Sequence, residues 1–200
     1  MFSLLHGFWK YAFEKDEYCI LILGLEKAGK TTFLEQTRVE YCKGYIGVPL
    51  DRITPTVGLN CEKITVRKYR YLLWDLGGQE ELQALWESYI PECHGLIWLV
   101  DASDKDNFST SRVALQNVLE RPQLANLPLL ILANKQDLPG AVPASEVADQ
   151  LLQNLPKLTG IHAALGISAI SADAIPKGFD WLTRAIIDHP IKPPRNRDTI

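Results

Sequence analysis

The chain has 200 residues, 46% of them hydrophobic, enough to bury one full core and too few to expect two. Its formal charge of -3 is spread without a basic stripe, which speaks against a nucleic-acid partner. No stretch reaches the roughly 20 apolar residues of a membrane span.

In chain order, the first predicted element is a helix. At about 100° per residue, Phe2, Leu4, Leu5, Phe8, Trp9, Ala12 and Phe13 fill half its circumference, and Ser3, His6, Gly7 and Lys10 occupy the rest. Residues 1–15 are thus set apart as an amphipathic helix whose apolar face packs on the protein, enters a lipid interface, or moves between the two. This opening has no basic segment ahead of it and no small-residue cleavage site, unlike a secretory signal, so a cytoplasmic protein is expected. Phe2 stands where a myristoylation signal needs glycine. Lys10 and Lys15 are balanced by Glu14, Asp16 and Glu17, so anionic lipid adds little attraction.

From 16 to 190, short apolar runs alternate with amphipathic segments. The runs are YCILIL (18–23), YLLWDL (71–76), GLIWLVDA (95–102), LPLLILANK (127–135) and AALGISA (163–169), each apolar on both faces, as in a parallel sheet covered by helices. Helical spacing starts near Lys30, Asn107, Pro143 and Gly178. The alternation predicts an α/β fold with a doubly wound, mostly parallel sheet. VGLNCEKITVRK (57–68) before YRYLLWDL has hairpin spacing and adds one antiparallel edge strand. The closing IKPPRNRDTI (191–200), proline-rich and charged, is expected to be a flexible tail. Cys19, Cys42, Cys61 and Cys93 show neither CxxC spacing nor a histidine at ligand spacing, and are read as ordinary buried or half-buried thiols in a reducing compartment.

Ligands of such sheets bind beyond the carboxyl ends of the strands, and the chemistry-bearing residues stand there. GLEKAGKT (24–31) fills the pattern G-x-x-x-x-G-K-[ST] with Gly24, Gly29, Lys30 and Thr31. Glycines let backbone N–H groups approach phosphate oxygens, a helix N-terminus adds positive potential, lysine reaches the β and γ phosphates, and the hydroxyl suits Mg²⁺. In NKQD (134–137), the Asp137 carboxylate can accept from the N1–H and exocyclic amine of guanine, a donor pair that adenine lacks. WDLGGQE (74–80) offers Asp75 to Mg²⁺ through water, the glycines Gly77 and Gly78 to a γ-phosphate, with the Gly78 N–H as the expected donor, and Gln79 to an attacking water. Thr56 in TPTVG is a candidate second Mg²⁺ hydroxyl. A GTP-hydrolysing switch, a nucleotide-dependent scaffold without turnover, and an ATP-using kinase or ATPase all share a phosphate loop. Gln79 speaks against the second, and Lys135 and Asp137 against the third.

Taken in order, GLEKAGKT, PTVGLN, WDLGGQE, NKQD and SAI (168–170) resemble the small GTPases of the ADP-ribosylation factor family, over nearly the whole chain. The resemblance implies the P-loop small GTPase (G domain) fold and GTP, GDP and Mg²⁺ as ligands. It implies nucleotide contacts from Gly24, Leu25, Glu26, Lys27, Ala28, Gly29, Lys30, Thr31, Thr32, Thr56, Asp75, Gly77, Gly78, Asn134, Lys135 and Asp137. Ser168 and Ala169 would support the base through the main chain, Thr31 and Thr56 would hold the metal, and Gln79 would be catalytic. The implied partners are a guanine nucleotide exchange factor, a GTPase-activating protein, GTP-dependent effectors and a Golgi membrane receptor protein. A monomer with reversible Golgi or trans-Golgi membrane contact through the N-terminal helix is implied as well. Leu59, Trp74 and Tyr89 would form an effector surface, with plain core packing as the alternative. Glu26 stands where the classical factors of the family carry aspartate, and Thr32 to Pro55 is a longer segment than in those factors.

Overall fold

The computed structural model describes residues 15–195 apart from 125, 154, 156–159 and 173. The N-terminal helix expected over 1–15 therefore lies, but for its last residue, outside the described residues.

Six strands form one sheet: β1 (Glu17–Leu23), β2 (Leu59–Val66), β3 (Tyr69–Leu76), β4 (Gly95–Asp101), β5 (Leu129–Asn134) and β6 (His162–Gly166), in the order β2-β3-β1-β4-β5-β6. β2 pairs antiparallel with β3, Asn60 opposite Asp75, and every other pair is parallel. The expected mixed sheet with one antiparallel edge strand is what folds. Alternation along the apolar runs divides the core in two. Cys19, Leu21, Leu23, Trp98 and Ile131 face one layer, and Tyr18, Ile20, Ile22, Ile97 and Leu130 the other. The first layer is closed by α2 (Phe108–Leu119) and α3 (Ala144–Leu152), the second by α1 (Lys30–Tyr41) and α4 (Ile175–Asp188). Phe33 of α1 stacks on Phe179 of α4, ring centroids 6.2 Å apart. Burying a side chain of that size contributes about 1.5–3 kcal/mol.

α4 begins at Ile175, three residues before the predicted Gly178, because Pro176 sits in its first turn, where a missing N–H costs nothing. Short 3₁₀ turns over Glu80–Ser88 and Ile90–Glu92, which the apolar spacing did not announce, carry the chain from β3 to β4. Two of the cysteines are buried, Cys42 is half-buried, Cys61 is exposed, and all are free thiols.

Lys192 to Arg195, the start of the stretch read as a flexible tail, are tied to the sheet at its end away from the phosphate loop. Lys192 Nζ donates to the carbonyls of Pro91 and Cys93, each at 3.0 Å, and Arg195 N donates to the Glu17 carbonyl at 2.8 Å.

Candidate functional site

β1 ends at Leu23 and the chain turns into α1 through residues 24–29. Gly29, the N-cap of α1, has φ of 91°, and a Cβ there would run into Asn134 Nδ2. The first turn of α1 carries no acidic residue, so its unpaired N–H groups and positive dipole end are left to an outside anion. Lys30 is only 6% exposed, and its Nζ donates to the carbonyls of Gly24 at 3.0 Å and Leu25 at 2.9 Å. Burial pushes its pKa down to about 8, against the pull of Asp75 and Glu26. An ammonium desolvated among neutral carbonyls is stabilised by any phosphate oxygen brought to it.

Next to it, Thr31, Thr56 and Asp75 converge. Thr31 Oγ1 lies 2.7 Å from Thr56 Oγ1, and both hydroxyls are 2.9 Å from Asp75 Oδ2. With Asp75 ionised, the two hydroxyls bring two protons to three oxygen contacts. Asp75 Oδ1 is buried with no hydrogen-bond partner among the described residues, and burial pushes this carboxyl up despite Thr31, Thr56, Lys30 and Asn60. A divalent cation fits: it supplies the charge the oxygens lack, and one carboxylate plus hydroxyls, completed by phosphates and water, is the hard-oxygen set Mg²⁺ takes. Among the described residues no group of three or more His, Cys, Asp or Glu forms another cation cage.

The turn after β5 is anchored on every side. Asn134 Nδ2 donates to the Ala28 carbonyl at 2.8 Å, and Asn134 Oδ1 accepts from Ala169 N at 2.9 Å. Lys135 Nζ sits 2.6 Å from Asp101 Oδ2. Gln136 N donates to the Ile167 carbonyl at 3.0 Å and its Nε2 to the Val142 carbonyl at 2.9 Å. Asp137 stays exposed, its carboxylate open to a ligand on a turn held by these bonds. Ser168 Oγ is buried without a hydrogen-bond partner among the described residues.

Two cavities meet over the loop. A smaller one of about 270 Å³ is lined by Lys30, Thr31, Thr32, Thr56, Gly77 and Lys135 among others, and a larger one of about 510 Å³ opens beside α2. Glu26, Lys27, Gly78 and Gln79 border both, which places Gln79 at the rim of the phosphate cavity. Among the described residues no arginine lines either one. Trp74 is buried, its ring centroid 5.2 Å from that of Tyr89, and Leu59 and Tyr89 are partly buried against the same core. The packing alternative thus holds for Trp74.

All the residues singled out around the phosphate loop, from Gly24 to Thr32 and from Thr56 to Gln79, come together, and Asn134, Lys135, Ser168 and Ala169 border the same end of the sheet. Asn60 was missed. Its Nδ2 donates to Thr56 Oγ1 at 3.1 Å and lies 3.4 Å from Asp75 Oδ2. Counting the hairpin register from the turn sets Asn60 opposite Asp75, a signal present in the sequence. Gln136 and Asp101 were missed because only the fold shows what they reach.

A glycine-framed lysine and an anchored Asn-Lys-Gln-Asp turn at the carboxyl end of a mostly parallel sheet are the arrangement of a small GTPase. The model of the ADP-ribosylation factor family matches residues 4–186. ADP-ribosylation factor-related protein 1 from Rattus norvegicus is 43% identical over 200 residues, and the protein of that name from Homo sapiens 42%, each alignment covering 99% of both chains. ADP-ribosylation factor-like protein 3 from Saccharomyces cerevisiae is 35% identical, covering 91% of this chain and 92% of its own. Among solved structures, the Arl6 BBS3 small GTPase from Trypanosoma brucei, with the nucleotide analogue GppNp bound, superposes with a TM-score of 0.73 at 25% identity, over 86% of this chain and 98% of that one. The chain belongs to the ADP-ribosylation factor family of small GTP-binding proteins.

Proposed function

We propose that the chain is a GTP-driven switch that binds GDP and GTP with Mg²⁺, hydrolyses GTP slowly, and controls membrane recruitment and protein traffic at the Golgi. The observation that carries this reading is the 2.8 Å hydrogen bond from Asn134 Nδ2 to the Ala28 carbonyl. It locks the base-recognising turn onto the phosphate loop, so that one ligand spans both.

In this reading Lys30 and the amides of residues 24 to 32 take the phosphates, and Thr31 and Thr56, with Asp75 through water, hold the metal. Mg²⁺, when bound, neutralises charge on the phosphates. Gly78 offers its N–H to the γ-phosphate and Gln79 orients the attacking water. Asn134, Lys135 and Asp137 read guanine, backed by the main chain of Ser168 and Ala169. Intrinsic turnover in such sites is on the order of 10⁻⁴ per second, and an arginine supplied in trans accelerates it about 10⁵-fold. The two cavities, which no described arginine lines, leave room for that partner's side chain. Loss of the γ-phosphate frees the loop around Thr56, and exchange factors, activating proteins and effectors read the difference. Leu59 and Tyr89, which are only partly buried, contribute to the effector surface, with Trp74 packed beneath them. The N-terminal helix gives reversible membrane contact, selected by a Golgi membrane receptor protein, and the chain works as a monomer.

Calorimetry of the full chain with Mg²⁺ tests the reading. GDP should bind at least two orders of magnitude tighter than ADP, because adenine leaves the Asp137 carboxylate unmatched. Equal affinities would overturn it.

A further inference from the structure

Asp101 closes β4 and stands in register with Asn134 of β5. Its two carboxylate oxygens have separate duties. Oδ1 accepts from Ser103 N at 3.0 Å and from Ser103 Oγ at 2.6 Å, while Oδ2 holds Lys135 Nζ at 2.6 Å. The Ala102 N–H donates to the Asn134 carbonyl at 2.9 Å, so the backbone beneath the pair is fixed as well. Lys135 itself has φ of 64°, in the left-handed region, which sets the direction in which its side chain leaves the turn. Lys135 lines the smaller cavity and Asp101 the larger, so the ion pair forms part of the wall between them.

We propose that Asp101 is a positioning residue for nucleotide retention, holding Lys135 so that its four-carbon stem covers the bound nucleotide while the ammonium stays pinned outside the cavity. This rests on the guanine-nucleotide reading above. A lysine side chain left to itself samples many rotamers, and a ligand that needs it in one of them must bear the ordering cost. Here Asp101, itself clamped by Ser103, imposes the order before the ligand arrives, and preorganisation of that kind lengthens residence. Half-buried as it is, the pair is sheltered from solvent more than an ordinary surface ion pair.

The test is the release rate of fluorescent GDP from the full-length chain in Mg²⁺, chased with excess unlabelled GDP. Asp101→Asn, which keeps the shape and removes the charge, should speed release on the order of tenfold. In a Lys135→Met background the same change should have no further effect, since Asp101 acts through that ammonium. Asp101→Glu should return release part of the way to the wild-type rate. An unchanged rate in Asp101→Asn overturns the proposal, and so does equal acceleration in both backgrounds, which would mark Asp101 as a plain structural residue. If Asp101→Asn does not fold, Ser103→Ala carries the same cycle. Coupling to Lys135 supports the proposal and additivity overturns it. Failure of the wild-type chain to bind GDP at all is a different result, which removes the guanine-nucleotide reading itself.

Discussion

A methyl group at residue 78 would overlap Lys30 Nζ and lie 2.5 Å from the carbonyl oxygen of Gly24 and the carbonyl carbon of Leu25. The glycine there is demanded by a close approach of chains, not by backbone conformation. Gly78→Ala must therefore push either the loop or the lysine aside. Loop displacement costs about 1–3 kcal/mol of stability, typical of overpacking. Displacing the lysine from the phosphate loses a hydrogen bond to a charged group, about 1.5–3 kcal/mol, so GDP affinity should fall roughly 10- to 100-fold. Calorimetry and thermal unfolding of the same variant separate the two routes, and a variant unchanged in both would show that the loop has slack the geometry denies. A reader of the sequence could place Gly78 beside a phosphate from its motif. The clash with Lys30, which explains why no other residue serves, needs β1 and β3 to be neighbours and is visible only in the fold.

The elements differ in how plainly they announce themselves. β1, β3, β4 and β5 are legible because burial on both faces writes an unbroken apolar run, and the hairpin because β2 and β3 are joined by two residues. The docking of Lys192 to Arg195 was not legible, because proline and charge are the marks of a solvated tail until partners are known. One of those partners is His94, a histidine that passed as ordinary in the sequence. Cys19 N donates to its Nδ1 at 3.1 Å, so the neutral ring carries its proton on Nε2, which donates to the Pro193 carbonyl at 2.9 Å. A second proton would set Nδ1–H against the Cys19 N–H. Burial, with Lys192 and Arg195 close by, holds the imidazole below its usual range, while the Pro193 and Glu92 carbonyls pull the other way and the Tyr18 ring packs edge-on. Since the folded-state pKa is lowered, the unfolded chain binds the proton first, and stability is full above about pH 6.5 and is lost as pH falls below it. Thermal unfolding followed from pH 7.5 to 5.5 should show a decline that His94→Gln largely lacks. Parallel declines in the two proteins would mean that other groups carry it.

Across the whole molecule, the site is assembled at a cost to the ligand-free chain. Lys30 and Asp75 are both buried, the Asp75 Oδ1 lone pairs are unmatched among the described residues, and two hydroxyls crowd one carboxylate oxygen. A nucleotide with Mg²⁺ supplies charge of the right sign to each of these at once, so binding and stability are linked through the same atoms. Free ligand at about 1,000 times its dissociation constant adds about 4 kcal/mol to the folded state. In a domain of this size each kcal/mol moves Tm by about 2–4 °C, so saturating Mg·GDP should raise Tm by roughly 8–16 °C. Stripping the metal with a chelator while GDP remains should remove a large part of that rise, because phosphates and Asp75 are then left facing one another without a cation. Mg²⁺ alone should do little, since two hydroxyls, with one carboxylate reaching it through water, fill only a third of the octahedral shell it demands. Should GDP stabilise the chain equally with and without the metal, the convergence of Thr31, Thr56 and Asp75 would be a hydrogen-bond cluster only, and the ligand would be held by Lys30 and the loop amides.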